Sequence, residues 1–152
     1  MIAWRLVKRR LAGDAFSGEG ARRYGGRWNS PGVPVVYLSQ SLALAALEML
    51  VHLQSRDVLA SYVAFRVEFD DGLVRAVDPA SLPAAWRTWP APVELAAIGD
   101  EWAHLKETLV LEVPSAIVPQ ERNYLVNPAH PKFSTLTISG PQPFTFDARL
   151  PG

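Results

Sequence analysis

The amino-acid sequence predicts an α+β fold, built mainly from short strands with two or more helices. Three observations lead there: short apolar and β-branched runs recur along the chain, two longer stretches carry helical spacing, and no βαβ alternation signals a parallel sheet. The 152 residues suit a single domain over 1–152, long enough to bury a core of its own. No internal repeat, low-complexity tract or linker divides it.

Ile2 to Val7 reads as the opening strand. Residues 13–34 hold most of the glycines together with Pro31 and Pro34, and read as a long, turn-rich loop. Loops of that length inside a compact domain are more often functional than idle. Val35-Val36-Tyr37-Leu38-Ser39 reads as a buried strand, and Ser39 or Ser41 can cap the helix that follows, Leu42 to Gln54. Apolar residues cover nearly the whole circumference of that helix, so it is expected to be largely buried. Val58 to Phe69 alternates as a strand, and Asp70-Asp71-Gly72 offers hairpin chemistry into Leu73 to Val77. Trp86 to Pro92 is loop or short helix, and Val93 to Glu107 has helical spacing. Short strands follow at Leu109 to Val113, Ala116 to Val118, Tyr124 to Val126, Thr135 to Ile138 and Phe144 to Phe146.

Composition narrows the function classes. Fifteen basic residues balance fifteen acidic ones, and a formal net charge of zero argues against a nucleic-acid binder, whose affinity rests on phosphate contacts. With no cysteine there is no disulfide, thiolate metal site or Cys nucleophile. His52, His104 and His130 lack metal-ligand spacing, and no metal is expected. The N-terminus lacks a signal-peptide layout, and the apolar run Leu42 to Leu53 is interrupted by Glu48 and His52 and too short to cross a bilayer. A cytoplasmic protein with no membrane contact is the expectation. Zero net charge also gives weak self-repulsion, so a permanent partner over some of the apolar surface would favour solubility.

Among the residues themselves, Glu48 stands out as a carboxylate in the middle of an apolar helix. Burial of such a group costs several kcal/mol unless it is paired or lines a wet cavity. Either it marks a site or it is the helix's solvated stripe, and composition alone leaves both open. Gly25-Gly26-Arg27-Trp28-Asn29 sets a guanidinium, suited to a phosphate by its planar fork, where backbone can approach an anion. The alternative is an ordinary surface arginine. Tyr37 is either a core tyrosine or an aromatic platform for a flat cationic ring. Asp100, Glu101 and Glu107 read as a solvated helix face.

The order of these signals is more specific than any one of them. Gly18-x-Gly20-Ala21, Gly26-Arg27-Trp28-Asn29, Gly32-x-Pro34-Val35-Val36-Tyr37 and Ala45-x-x-Glu48-Met49-Leu50-Val51-His52-Leu53 together resemble RES-domain proteins. Val113-Pro114-Ser115-Ala116-Ile117-Val118-Pro119 and Asn123-Tyr124-Leu125-Val126-Asn127-Pro128-x-His130-Pro131 resemble that family's C-terminal signature, and Trp4-Arg5 fits its opening strand. Residues 70–108 match least. The resemblance implies an ADP-ribosyltransferase-like fold with its strands in two sheets, and a toxin that cleaves NAD⁺ as substrate, with no cofactor. It implies catalytic roles for Glu48, Arg27 and Tyr37, and NAD⁺ binding by Arg5, Arg27, Tyr37 and Ser115, with Ser134 the other candidate for the family serine. It also implies an Xre-type helix-turn-helix antitoxin over the active-site cleft, within a higher-order complex.

Depletion of NAD⁺ by water or phosphate is the first reading, and ADP-ribosylation of a specific protein the second. A ribonuclease toxin or a non-catalytic interaction module are more distant readings.

Overall fold

The computed structural model describes residues 1–53 and 60–150. The predicted helix end at Gln54, and the predicted strand start at Val58 and Leu59, lie outside them.

The strands are β1 (Ile2–Lys8), β2 (Val36–Ser39), β3 (Tyr62–Glu68), β4 (Val74–Ala76), β5 (Val110–Pro114), β6 (Arg122–Val126) and β7 (Thr137–Phe144). The helices are α1 (Glu19–Tyr24), α2 (Leu42–Leu50) and α3 (Val93–Leu105). Strand pairing is continuous in the order β4-β5-β6-β2-β1-β3-β7, antiparallel except between β4 and β5. The two sheets expected from the resemblance are therefore joined into one, but only just. β1 meets β2 at the single register pair Trp4↔Ser39, whereas β1 pairs with β3 over its whole length.

About that narrow joint the sheet folds over on itself. Ala3, Val67 and Phe69 from one half share a core with Val36, Leu38, Val110, Tyr124 and Val126 from the other. The Phe69 and Tyr124 rings meet edge to face at 5.6 Å. Chain reach agrees: a flat sheet would hold β3 and β4 about 24 Å apart, and residues 69–73 can span at most about 21 Å. The Asp70-Asp71-Gly72 segment is thus no hairpin. Asp70 accepts the Gly72 N–H at 2.9 Å, turning the chain across to run parallel with β5.

Alternation along β1 decides what each half presents. Trp4 and Leu6 face α2 beside Ala45, Met49 and Leu50, while Ala3 and Val7 enter the cores on the opposite face. α2 begins where Ser41 accepts the Leu44 N–H at 3.0 Å, so Ser41 is the cap. The expected burial of α2 is corrected. Leu44 and Ala45 are buried, but Ala43, Leu47 and Val51, spaced four apart, face outward, and Val51 is 59% exposed. The helix covers one side of β1 and β2, and its outer residues face away from them.

Three further expectations change. The 13–34 stretch contains α1, too short to stand out by periodicity. Ala116 to Val118 is a turn rather than a strand, because Ser115 Oγ accepts the Ile117 and Val118 N–H groups at 3.1 Å each. Thr137 to Phe144 is one strand where Gly140 and Pro141 predicted a break. Gly140, at φ 120°, sits at an irregularity opposite Ala64, where a Cβ would lie 2.8 Å from the Ala64 carbonyl, and prolines are tolerated because β7 is an edge.

Candidate active site

Glu48 projects from α2 towards the turn after β5 and the start of β6. Its Oε1 accepts the Ser115 hydroxyl at 2.7 Å and the Asn123 amide at 2.6 Å. Asn123 is in turn held by the Ser39 hydroxyl, which donates to its Oδ1 at 2.7 Å. The pair is set by register, since Ser39 and Asn123 are cross-strand neighbours of β2 and β6. Ser115 is fully buried, and its hydroxyl bridges the carboxylate and two backbone donors. The bland reading of Glu48 as a solvated stripe therefore fails: one carboxylate oxygen is fixed, on a residue still partly exposed. The serine at Glu48 is Ser115. Ser134 is exposed, in a 3₁₀ turn after β6.

The Arg27 turn is tied down from four sides. Gly26 and Asn29 bridge through their backbones. The buried Asn29 amide donates to the Ala21 and Val33 carbonyls at 2.9 and 3.0 Å. Asp100 on α3 accepts the Ser30 N–H at 2.8 Å, a specific task for a residue that read as solvated. Gly99 allows α3 to approach: a Cβ there would lie 1.7 Å from the Trp28 carbonyl oxygen. Tyr37 completes the set, its hydroxyl donating to Asn29 Oδ1 at 2.6 Å and accepting the Trp28 N–H at 3.2 Å. Burial pushes that hydroxyl well above its ordinary value, helped by Asp100 and opposed by the Trp28 N–H and Arg27. The phenol stays protonated at neutral pH and is a structural donor, on a residue that is half-buried.

Arg27 itself donates from Nη1 to the Trp86 and Thr88 carbonyls at 2.8 and 2.9 Å. Burial lowers its guanidinium below the usual arginine value, while the nearby Glu48 carboxylate and Tyr37 act in the other direction. No carboxylate lies within 4 Å of it among the described residues. The arrangement is thus a fixed carboxylate within electrostatic reach of a guanidinium that no described carboxylate touches.

Arg5 is placed differently. Its Nε donates to the Ala15 carbonyl and its Nη1 to the Tyr37 carbonyl at 2.9 Å, so it bridges the weakly paired β1–β2 joint. Burial lowers it to about 10, still cationic at neutral pH. Sequence reasoning missed Asn123, Ser39, Asp100 and Gly99. Asn123 opens one of the family blocks, but its link to Glu48 depends on a β2–β6 register that spacing does not reveal.

The RES domain family matches residues 2–147. The chain belongs to this family. It is 42% identical over 151 residues to Toxin Res of Yersinia enterocolitica, covering 99% of either chain. It is 37% identical to the Prs ADP-ribosylating toxin of Sphingobium sp., covering 97% of this chain and 94% of that one. A shorter match, 46% over 52 residues and 32% of this chain (28% of its relative), is to the NAD(+) phosphorylase MbcT of Mycobacterium tuberculosis. The RES fold is shared with a chain of the M. tuberculosis MbcT–MbcA toxin–antitoxin complex, with a TM-score of 0.78 at 23% identity, over 95% of this chain and 84% of that one. Among the described residues of this RES domain, no helix is long and apolar enough to cross a membrane.

Proposed function

We propose that this RES domain is the toxin of a bacterial toxin–antitoxin pair and breaks the nicotinamide–ribose bond of NAD⁺. The observation that carries the reading is the double hold on Glu48 Oε1 by Ser115 and Asn123, which leaves Oε2 for a ligand within electrostatic reach of Arg27. Cleavage builds an oxocarbenium-like ribose as the C1′–N bond lengthens, and its electron pair leaves with neutral nicotinamide. Glu48 Oε2 accepts from the ribose hydroxyls and faces the growing positive charge. An acceptor oxygen then bonds to C1′ and releases its proton to Glu48 or solvent.

Arg27 has Nε and Nη2 left to grip the pyrophosphate after Nη1 is committed to Trp86 and Thr88. Tyr37 holds the Arg27 turn and, half-buried, forms a wall for nicotinamide. Ser115 and Asn123 orient Glu48. Arg5 acts through the Tyr37 strand rather than on the pyrophosphate. NAD⁺ is substrate, and the reading needs no cofactor.

Depletion of free NAD⁺ through water or phosphate is the first reading, supported by the similarity to an NAD(+) phosphorylase. Transfer to a protein is the second, and the near full-length match to an ADP-ribosylating toxin favours it. An Xre-type helix-turn-helix antitoxin covers the Arg27–Glu48 cleft in a higher-order complex in the cytoplasm, and the RES chain binds no nucleic acid directly. The shared fold with a toxin–antitoxin component supports a partner of this kind.

The test is cellular NAD⁺ after brief induction without a partner, beside Glu48→Ala and Arg27→Ala. Collapse with the wild type alone is expected. Level NAD⁺ with growth arrest and a labelled protein from labelled NAD⁺ would shift the assignment to transfer. Products resolved with and without phosphate separate phosphorolysis from hydrolysis.

A further inference from the structure

The tryptophans near the site have different fates. Trp28 and Trp102 are buried in the core beside α3, whereas Trp89 leaves 73% of its surface open. It is nevertheless held in place. Arg27 Nη1, donating to the Trp86 and Thr88 carbonyls, pins the segment just before it. The Trp89 ring then lies 6.0 Å from the Arg27 guanidinium carbon and 5.7 Å from the His52 ring, inclined at 60°. His52 lies two residues beyond the end of α2, in the turn that closes it, where its N–H donates to the Met49 carbonyl at 3.1 Å. Trp89 therefore stands between the guanidinium and the end of the helix that carries the carboxylate, with most of its surface uncovered.

An exposed indole gains nothing from core burial here, and its neighbours are Arg27 of the site and His52 just past the helix that carries Glu48. Indole faces stack on flat heteroaromatic rings with little regard to their identity, because every such ring has a π face. We propose that Trp89 is a substrate-contacting residue that stacks on a base of the dinucleotide, with Arg27 at once gripping the pyrophosphate and fixing the indole. This rests on the NAD⁺ reading above. It gives a role to the 70–108 segment, the part of the chain for which the family resemblance offered none.

The experiment is calorimetric titration of NAD⁺ into the slowed variant Glu48→Gln, alone and combined with Trp89→Ala or Trp89→Phe. Glu48→Gln keeps an oxygen to receive Ser115 and Asn123. Loss of one stacked base corresponds to roughly tenfold weaker binding, so Trp89→Ala is expected to raise Kd about tenfold, with Trp89→Phe recovering most of it and the melting temperature unchanged in both. In steady state, with Glu48 intact, the same substitution raises KM about as much and moves kcat little. ADP-ribose and nicotinamide mononucleotide, titrated separately, identify the stacked ring as adenine or nicotinamide by which one weakens. Unchanged affinity of Trp89→Ala for NAD⁺ and both fragments, in a protein that still binds NAD⁺, overturns the role of Trp89 alone. Failure of Glu48→Gln to bind NAD⁺, with no turnover by the wild type, overturns both this role and the function on which it rests.

Discussion

A carboxylate oxygen that receives two hydrogen bonds is held in direction as well as in place, and for Glu48 the two donors come from separate elements. Asn123→Ala removes one of them without emptying a buried site. The expected result is a kcat lower by roughly 10- to 100-fold, as for a misdirected catalytic group, with KM for NAD⁺ little changed and the melting temperature lowered modestly, because the buried Ser39 hydroxyl loses its acceptor. Ser115→Ala differs, because the buried hydroxyl also satisfies the Ile117 and Val118 N–H groups. It is expected to lower kcat and also to destabilise the fold by about 1–3 kcal/mol through the orphaned donors, read from denaturant unfolding. Tyrosine sets the alkaline limit. Burial raises Tyr37 and also Tyr124, the latter to about 12 with help from Glu112. Each protonated hydroxyl contributes stability that is complete below the unfolded value of about 10 and is lost as pH rises through the folded one. Unfolding midpoints should therefore hold steady from pH 8 to 9 and fall above about pH 10, less steeply in Tyr37→Phe.

Among elements, the contact between α3 and the Arg27 turn is the least forgiving. A methyl group at position 99 would meet the Trp28 carbonyl, so Gly99→Ala must push α3 and the turn apart. A loss of about 1–3 kcal/mol is expected, seen as a melting temperature lower by several degrees, together with weaker NAD⁺ binding because Arg27 moves with the turn. Much of this level was legible in the sequence. β1, β2, the α2 start at Ser41 and α3 follow from periodicity and capping, and Arg27, Glu48, Tyr37 and Ser115 were found as members of ordered blocks. What escaped was non-local. The turn at 116–118 is apolar and β-branched like a strand, and only the Ser115 side chain diverts its donors. α2 reads as buried because its outer Leu47 and Val51 are as apolar as its inner residues, and a sequence does not say which apolar face is left open. Asp100 looks like any helix-surface acid until the Ser30 N–H arrives from 70 residues away.

For the molecule as a whole, the joint between β1 and β2 decides the shape. With one register pair there, the backbone alone ties the halves loosely, and Arg5 adds a link across the joint by donating to the Tyr37 carbonyl, while its bond to the Ala15 carbonyl anchors it on the β1 side. A lysine at that position has no planar fork to reach both carbonyls. Arg5→Lys is expected to cost about 1–3 kcal/mol, measured as a lower denaturant midpoint. The halves then share the core that Phe69 and Tyr124 close, and the carboxylate, the guanidinium turn and the serine are all fixed on the outer layer around it.

The long sequence separation inside the site has a consequence for synthesis. Glu48 waits for partners 67 and 75 residues downstream. A nascent chain on the ribosome thus displays the carboxylate, the Arg27 turn and α2 well before Ser115 and Asn123 are translated, and domains assemble as their segments emerge. Until position 115 is clear of the ribosome the glutamate has neither donor to aim it, and until position 123 is clear it has only one. Both donors lie in the last quarter of the chain, so the geometry around Glu48 is completed only as synthesis ends.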